Sequence, residues 1–157
     1  MKPAPFIYHD PRSVDAAVDL LATHENARVL AGGQSLMPMM NFRYVMADHL
    51  IDLNKVSALA YLRFTGDALQ VGAMTRQREL ESSSEVGQRC PILQTALGHV
   101  GHRQTRNRGT IGGSLCHLDP SAELVNIAAL LGATFHAASR RGKRDIAFAE
   151  FAAAYMT

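Results

Sequence analysis

The chain has 157 residues, 47% of them hydrophobic, which is enough to bury one core or two small subdomains. A net charge of +2, no Trp and only 6% aromatic residues argue against a nucleic-acid partner or a membrane surface, because neither a basic patch nor a base-stacking platform is available. No apolar run reaches the roughly 20 residues of a membrane span, and the opening "MKPAPFIYHDP" lacks a signal-peptide core. Cys90 and Cys116 lie too far apart for a C-x-x-C pair, so a disulfide framework and an iron–sulfur or zinc site built by this chain alone are not expected. A cytoplasmic location fits that cysteine usage.

In chain order, Ser13 is placed to cap a helix over "SVDAAVDLLATHE", where Val14, Ala17, Val18 and Leu21 recur at helical spacing. "RVLA" (28–31) reads as a strand, "SLMPMMNFR" as a short helix and "HLIDL" (49–53) as a second strand, a small βαβ-like unit ending near Val56. "LAYLRFTGDALQVGAMT" predicts a hairpin turning at Gly66-Asp67, and "RQRELESSS" a short polar helix. "CPILQTALGHVG" opens with Pro91 near the first helical position and aligns Ile92, Leu93, Ala96, Leu97 and Val100 on one face. "RQTRNRGTIGGSLCHL" has no period and reads as loop or irregular strand. Asp119-Pro120 predicts a capped start for the apolar helix "SAELVNIAALL", which Gly132 stops. "ATFHAAS" reads as a strand, "RRGK" as a turn and "RDIAFAEFAAAYMT" as a further strand or helix. The order is that of an α+β chain with subdomains over 1–57 and 58–157.

Two glycine pairs interrupt this order, in "ARVLAGGQSLMPMM" and in "NRGTIGGSLCHLDPSAEL". No two glycines stand at i and i+2, so the G-x-G-x-x-G dinucleotide fingerprint is absent, and Gly142-Lys143 is followed by Arg144 rather than by the Ser or Thr of a P-loop. Without Cβ atoms, successive amides can still face one concavity and admit a phosphate, with Ser35 and Ser114 each adding a hydroxyl. Residues 26–47 and 86–118 contain no Asp or Glu, so an anion meets no local repulsion. On these grounds alone, each pair is equally a tight turn or a packing point.

The segments "LAGGQSLMPMMNFR", "HLIDLNKV" and "RGTIGGSLCHLDPSAEL" resemble the FAD-binding medium subunit of the molybdenum hydroxylases, the family of carbon monoxide and xanthine dehydrogenases. The family pattern is A-G-G-[HQN]-S, then T-I-G-G-N followed by D-P-x-x-[DE], and the likeness extends over the whole chain. It implies a two-subdomain flavin fold of the PCMH type rather than a Rossmann sheet. It implies non-covalent FAD, with Ala31, Gly32, Gly33, Gln34 and Ser35 on one side of the pyrophosphate and Thr110, Ile111, Gly112, Gly113 and Ser114 on the other. Glu123, Asp119 and Arg106 match further cofactor-binding positions, although Asp119 also reads as a helix cap, and Arg106 as a solvated loop residue. Three departures stand out: Gln34 for the commoner histidine, Ser114 for asparagine, and His117 at a position often small or amide-bearing. Members of the family continue into a C-terminal domain that this sequence does not contain.

The resemblance further implies an oxidoreductase subunit that passes electrons from iron–sulfur clusters to NAD⁺, a quinone or O₂. Molybdopterin and [2Fe-2S] clusters are expected only on partners, a molybdopterin large subunit and an iron–sulfur small subunit. No catalytic base or nucleophile is expected here, and no metal, since His99 and His102 are the nearest approach to ligand spacing. Cys116 reads as a packed thiol, and "LMPMMNF" as core and subunit-contact surface. The rival functions are a stand-alone flavin oxidoreductase and a non-catalytic nucleotide-binding or assembly module. Either Gly33→Val or Gly113→Val is expected to abolish FAD retention by filling the phosphate's space.

Overall fold

Parallel strands need crossovers, and the first third of the chain supplies two. In the computed structural model, which describes residues 1–153, β1 (Ile7–His9), β2 (Ala27–Leu30) and β3 (His49–Asp52) pair in parallel in the order β1-β3-β2. Helix α1 (Val14–Thr23) joins β1 to β2, and α2 (Leu36–Asn41) joins β2 to β3. The Ser13 hydroxyl caps α1 as expected, accepting from the Ala16 amide at 3.1 Å. Leu50 and Ile51, adjacent on β3, are both buried, as a central parallel strand covered on both faces requires. Met40, Ala47 and Leu50 form the core of this unit, with Phe6, Leu30 and Met37 packed on it.

Two 3₁₀ turns (Leu53–Lys55 and Ser57–Leu59) lead into the antiparallel hairpin β4 (Leu62–Thr65) and β5 (Ala68–Val71). Gly66 turns it with φ +57°, a conformation that favours glycine. Six helices follow: α3 (Gln77–Ser82), α4 (Ser84–Arg89), α5 (Pro91–His99), α6 (Arg103–Arg108), α7 (Ile111–His117) and α8 (Glu123–Leu130). Their apolar faces meet at Leu80, Val86, Leu93, Leu97 and Leu124, with the hairpin residues Leu62, Phe64, Leu69 and Val71 against them. A second hairpin, β6 (Thr134–Ser139) and β7 (Gly142–Ala147), and α9 (Phe148–Phe151) bring Phe135, Phe148 and Phe151 onto Leu115, Leu118 and Val125. The architecture is α+β, and the described residues form three small separate sheets with no doubly wound sheet among them.

Two local expectations change. Residues 103–117, expected as loop or irregular strand, contain the two helices α6 and α7. Helix α6, "RQTRNR", carries no apolar residue, so no period could reveal it; ion pairing holds it instead. Helix α7 tolerates its two glycines, each costing about 1 kcal/mol against alanine, because the buried Thr110 hydroxyl caps it by accepting from the Gly113 amide at 3.0 Å. Asp119 does not cap α8, whose N-cap is Ala122; its carboxylate closes a turn on the Ser121 amide (2.9 Å) and hydroxyl (2.7 Å). Residues 154–157 of the expected closing strand or helix lie outside the described residues.

Candidate functional site

The first glycine loop leaves the C-terminal end of β2, and the second forms the start of α7. The fold brings them into contact. A Cβ built on Gly32 would meet the Arg108 carbonyl oxygen at 2.5 Å and the Gly109 Cα at 2.8 Å. One built on Gly113 would stand 3.4 Å from the Ala31 Cβ and 3.9 Å from the Gly32 amide nitrogen. Gly32 is required at this seam because backbone passes against backbone.

A polar clamp crosses the same seam. The Asn54 side-chain amide donates to the Ala31 carbonyl at 3.0 Å, and the Arg76 guanidinium donates both to Asn54 Oδ1 and to the Arg108 carbonyl. Asn54 is oriented in turn by Asp52, which accepts from the Asn54 amide at 2.8 Å and from the Tyr8 hydroxyl at 2.5 Å. The bond to Asp52 pushes the Tyr8 hydroxyl up to about 12. Burial and the neighbouring Arg108 lower Arg76 from its ordinary value. The sequence motifs give neither residue a role: Asn54 falls within "HLIDLNKV" without one and Arg76 falls in no motif, and their partners lie 23 and 32 residues away.

The loops differ in what they leave open. Among the described residues, the amides of Gly32, Gly33, Gln34 and Ser35 donate to no protein acceptor. Gly33 adopts φ +74°, which turns the chain between them. The Gln34 side chain folds back, donating to the Gly32 carbonyl at 3.2 Å. In the second loop every amide from Ile111 to Ser114 is engaged. Ile111 donates to the Thr75 carbonyl (3.1 Å), Gly112 to Ala73 (2.9 Å), Gly113 to the Thr110 hydroxyl (3.0 Å) and Ser114 to the Thr110 carbonyl (3.2 Å). The hydroxyls of Ser35 and Ser114 have no protein partner among the described residues, so each can turn toward a ligand. The site is therefore an open array of amides at 32–35 braced by a closed scaffold at 110–114.

The outlying site residues separate from this centre. Both oxygens of Glu81 accept from the Arg106 guanidinium, at 2.8 and 3.1 Å, and the carbonyls of Val100 and Gly101 accept from its Nη1 at 2.9 and 3.2 Å. This commits Arg106 to holding α6 against α3, a partnership 25 residues long that its position beside the glycine motif does not reveal. The bond from Arg106 holds the Glu81 carboxyl below the ordinary carboxylate range. Asp119 is engaged with Ser121, and Glu123, half-buried at the start of α8, makes no hydrogen bond to either loop. The Cys116 residue is exposed, although burial around its sulfur pushes the thiol up. Of the Met-rich stretch, Met40 is buried in the core while Phe42 stands exposed, in line with a split between core and surface.

Linear spacing offers no metal centre, yet the fold brings together three histidines that spacing does not connect: His9, His24 and His49. No helix among the described residues is long and apolar enough to cross a membrane.

Residues 4–157 match the family described as the FAD binding domain in molybdopterin dehydrogenase. The chain is 43% identical over 151 residues to the 6-hydroxypseudooxynicotine dehydrogenase complex subunit alpha of Paenarthrobacter nicotinovorans, covering 96% of this chain and 51% of that protein. It is 40% identical over 159 residues to the carbon monoxide dehydrogenase medium chain of Hydrogenophaga pseudoflava, covering 100% and 55%. Among solved structures, quinoline 2-oxidoreductase from Pseudomonas putida 86 contains a chain that superposes with a TM-score of 0.97 at 39% identity, again over all of this chain and 55% of that one. The chain thus spans about half the length of the relatives it matches.

Proposed function

The chain belongs to the family of FAD-binding domains in molybdopterin dehydrogenases, and from that premise we propose that it holds non-covalent FAD as the flavin part of a heteromeric molybdenum hydroxylase. Its partners in this reading are an iron–sulfur small subunit and a molybdopterin large subunit, in the cytoplasm. The observation that carries it is the contact between the two glycine loops, which sets the unpartnered amides at 32–35 against the start of α7. A pyrophosphate is an acceptor-rich dianion, and free amides with no carboxylate at 26–47 suit it. Bound FAD would supply the redox chemistry, taking electrons from the clusters and passing them to an external acceptor.

The chain's own residues bind and position. The amides of Gly32, Gly33, Gln34 and Ser35 are the donors for one phosphoryl group, and Gly33 supplies the turn that aims them. Ser35 and Ser114 donate from the two sides. Ala31 and Thr110–Gly113 act as supports: Asn54 and Arg76 hold the Ala31 carbonyl back from the ligand, and Thr110 fixes the start of α7. Gln34, turned onto its own loop, contributes through its backbone. Glu123 remains the candidate for sugar hydroxyls, because its carboxylate has no other hydrogen bond among the described residues.

The reading is tested on the purified protein by its visible spectrum. Flavin bands whose chromophore is released as FAD on denaturation support it. A colourless protein that fails to take up added FAD overturns it. Co-purification with iron–sulfur and molybdenum subunits separates the heteromeric enzyme from a stand-alone flavoprotein.

A further inference from the structure

His9 ends β1, His24 is the C-cap of α1 and His49 opens β3, so one imidazole comes from each of three elements. The rings stack with centroids 4.9 Å apart for His9 and His24, 5.2 Å for His9 and His49, and 4.0 Å for His24 and His49. His9 Nε2 and His49 Nδ1 are 2.9 Å apart and share a proton. One nitrogen from each ring lies within 4.8 Å of the other two, and all three residues are half-buried. Among the described residues no carboxylate or carbonyl takes up the remaining ring nitrogens, and the His24 ring has no hydrogen bond at all. Packing alone does not call for three bases there: an apolar residue would fill the same space without losing imidazole hydration.

The last turn of α1 carries no basic side chain of its own, and Arg140 reaches it from the second hairpin, donating to Asp19 at 2.7 Å and to Thr23 Oγ1 at 3.1 Å. The cluster stands beside the start of β2, where His49 pairs with Ala27, whereas the first glycine loop follows the far end of that strand.

We infer that His9, His24 and His49 form a binding site for a first-row divalent cation of the zinc type, which ties the end of α1 to the sheet. Tetrahedral zinc with bonds of about 2.0–2.1 Å sets its nitrogens about 3.4 Å apart. The spread here brackets that value, and closing the site requires the rings to rotate from a stack into a fan. Three imidazoles leave the fourth position to water.

The test uses the full-length chain in its natural assembly, stripped of metal and titrated with Zn²⁺ against a chromophoric chelator. One equivalent per chain is expected, with a thermal midpoint raised by roughly 2–8 °C at saturating Zn²⁺. His24→Gln lowers the affinity by roughly tenfold or more and removes the thermal shift, while flavin content and the metal-free midpoint stay as in the parent. His9→Gln repeats the test should His24→Gln fail to accumulate, and His99→Gln, remote in sequence and exposed, binds zinc as the parent does. Sub-stoichiometric binding, or zinc affinity unchanged in His24→Gln and His9→Gln, overturns the proposal. Because flavin content is read in the same samples, loss of the flavin reading and loss of the zinc site are separate results.

Discussion

The two glycine loops look alike as sequence, Ala-Gly-Gly-Gln-Ser and Ile-Gly-Gly-Ser, yet their backbones do different things. The first leaves its amides at 32–35 unpartnered and turns through a left-handed glycine. The second uses every amide from 111 to 114 to anchor itself on residues 73–75 and on its own cap. In the proposed reading the first loop is satisfied by a ligand, whereas the second is anchored where it is. A glycine motif is therefore not in itself a phosphate nest; the fate of its N–H groups decides.

That contrast breaks most sharply at Gly112. A Cβ there would fall 2.6 Å from the Ala73 Cβ and 2.7 Å from its carbonyl oxygen, neither of which can yield without moving the floor of the loop. Gly112→Val is expected to cost about 3 kcal/mol or more of stability, read as a lowered urea midpoint. Gly33→Val is expected to cost less, about 2 kcal/mol, from the positive φ and from Leu30 and Met37 at 3.2 Å, but to remove flavin from protein that remains folded. Equal unfolding by the two variants would erase the distinction between binding loop and scaffold loop. The reason for the glycines also shifts. At Gly113 an added Cβ would strike the Thr110 hydroxyl at 2.8 Å, so Gly113→Val acts through the cap rather than by occupying the phosphate's place.

The seam between the loops is probed by Asn54→Ala, Arg76→Ala and the double variant. Each single change is expected to cost about 1–2 kcal/mol, and the pair to be coupled by about 1 kcal/mol, because the two side chains share one hydrogen bond. Additive behaviour in denaturant would mean that the clamp is not a unit. The smallest effect concerns Glu81. Its folded pKa is lowered below the ordinary 4.5 by Arg106, so its contribution is complete above about pH 4.5 and is lost as the pH falls through the folded value. Glu81→Gln should flatten the acid limb of stability against pH in that window and leave flavin content unchanged. A parallel loss of flavin would return Arg106 to the cofactor site.

The parts of this architecture that read well from sequence are those with local causes. Ser13 capping α1, Pro91 opening α5 and Gly66 in its hairpin each act over a few residues, and the structure places them as the residue types dictate. The glycine pairs were legible as loops that meet. Illegible were the interactions that cross the chain: Asn54 with Ala31, Arg76 with Arg108, Arg106 with Glu81, and three histidines spread over forty residues. None has a period, and each is fixed by where separate elements dock. Helix α6 was missed for a related reason, since a helix without an apolar face is held by its ends and its ion pairs, not by a stripe.

The seam has a further consequence for the integrity of the molecule. Asn54 and Arg76 grip each other from either side of the exposed Ser57–Ala58 turn, and Gly32 rests on Gly109 independently of it. A protease that nicked this turn would cut the only covalent thread there while leaving the grip and the contact intact. The two fragments would still possess a mutual surface, and whatever anion settled on it would act as their glue.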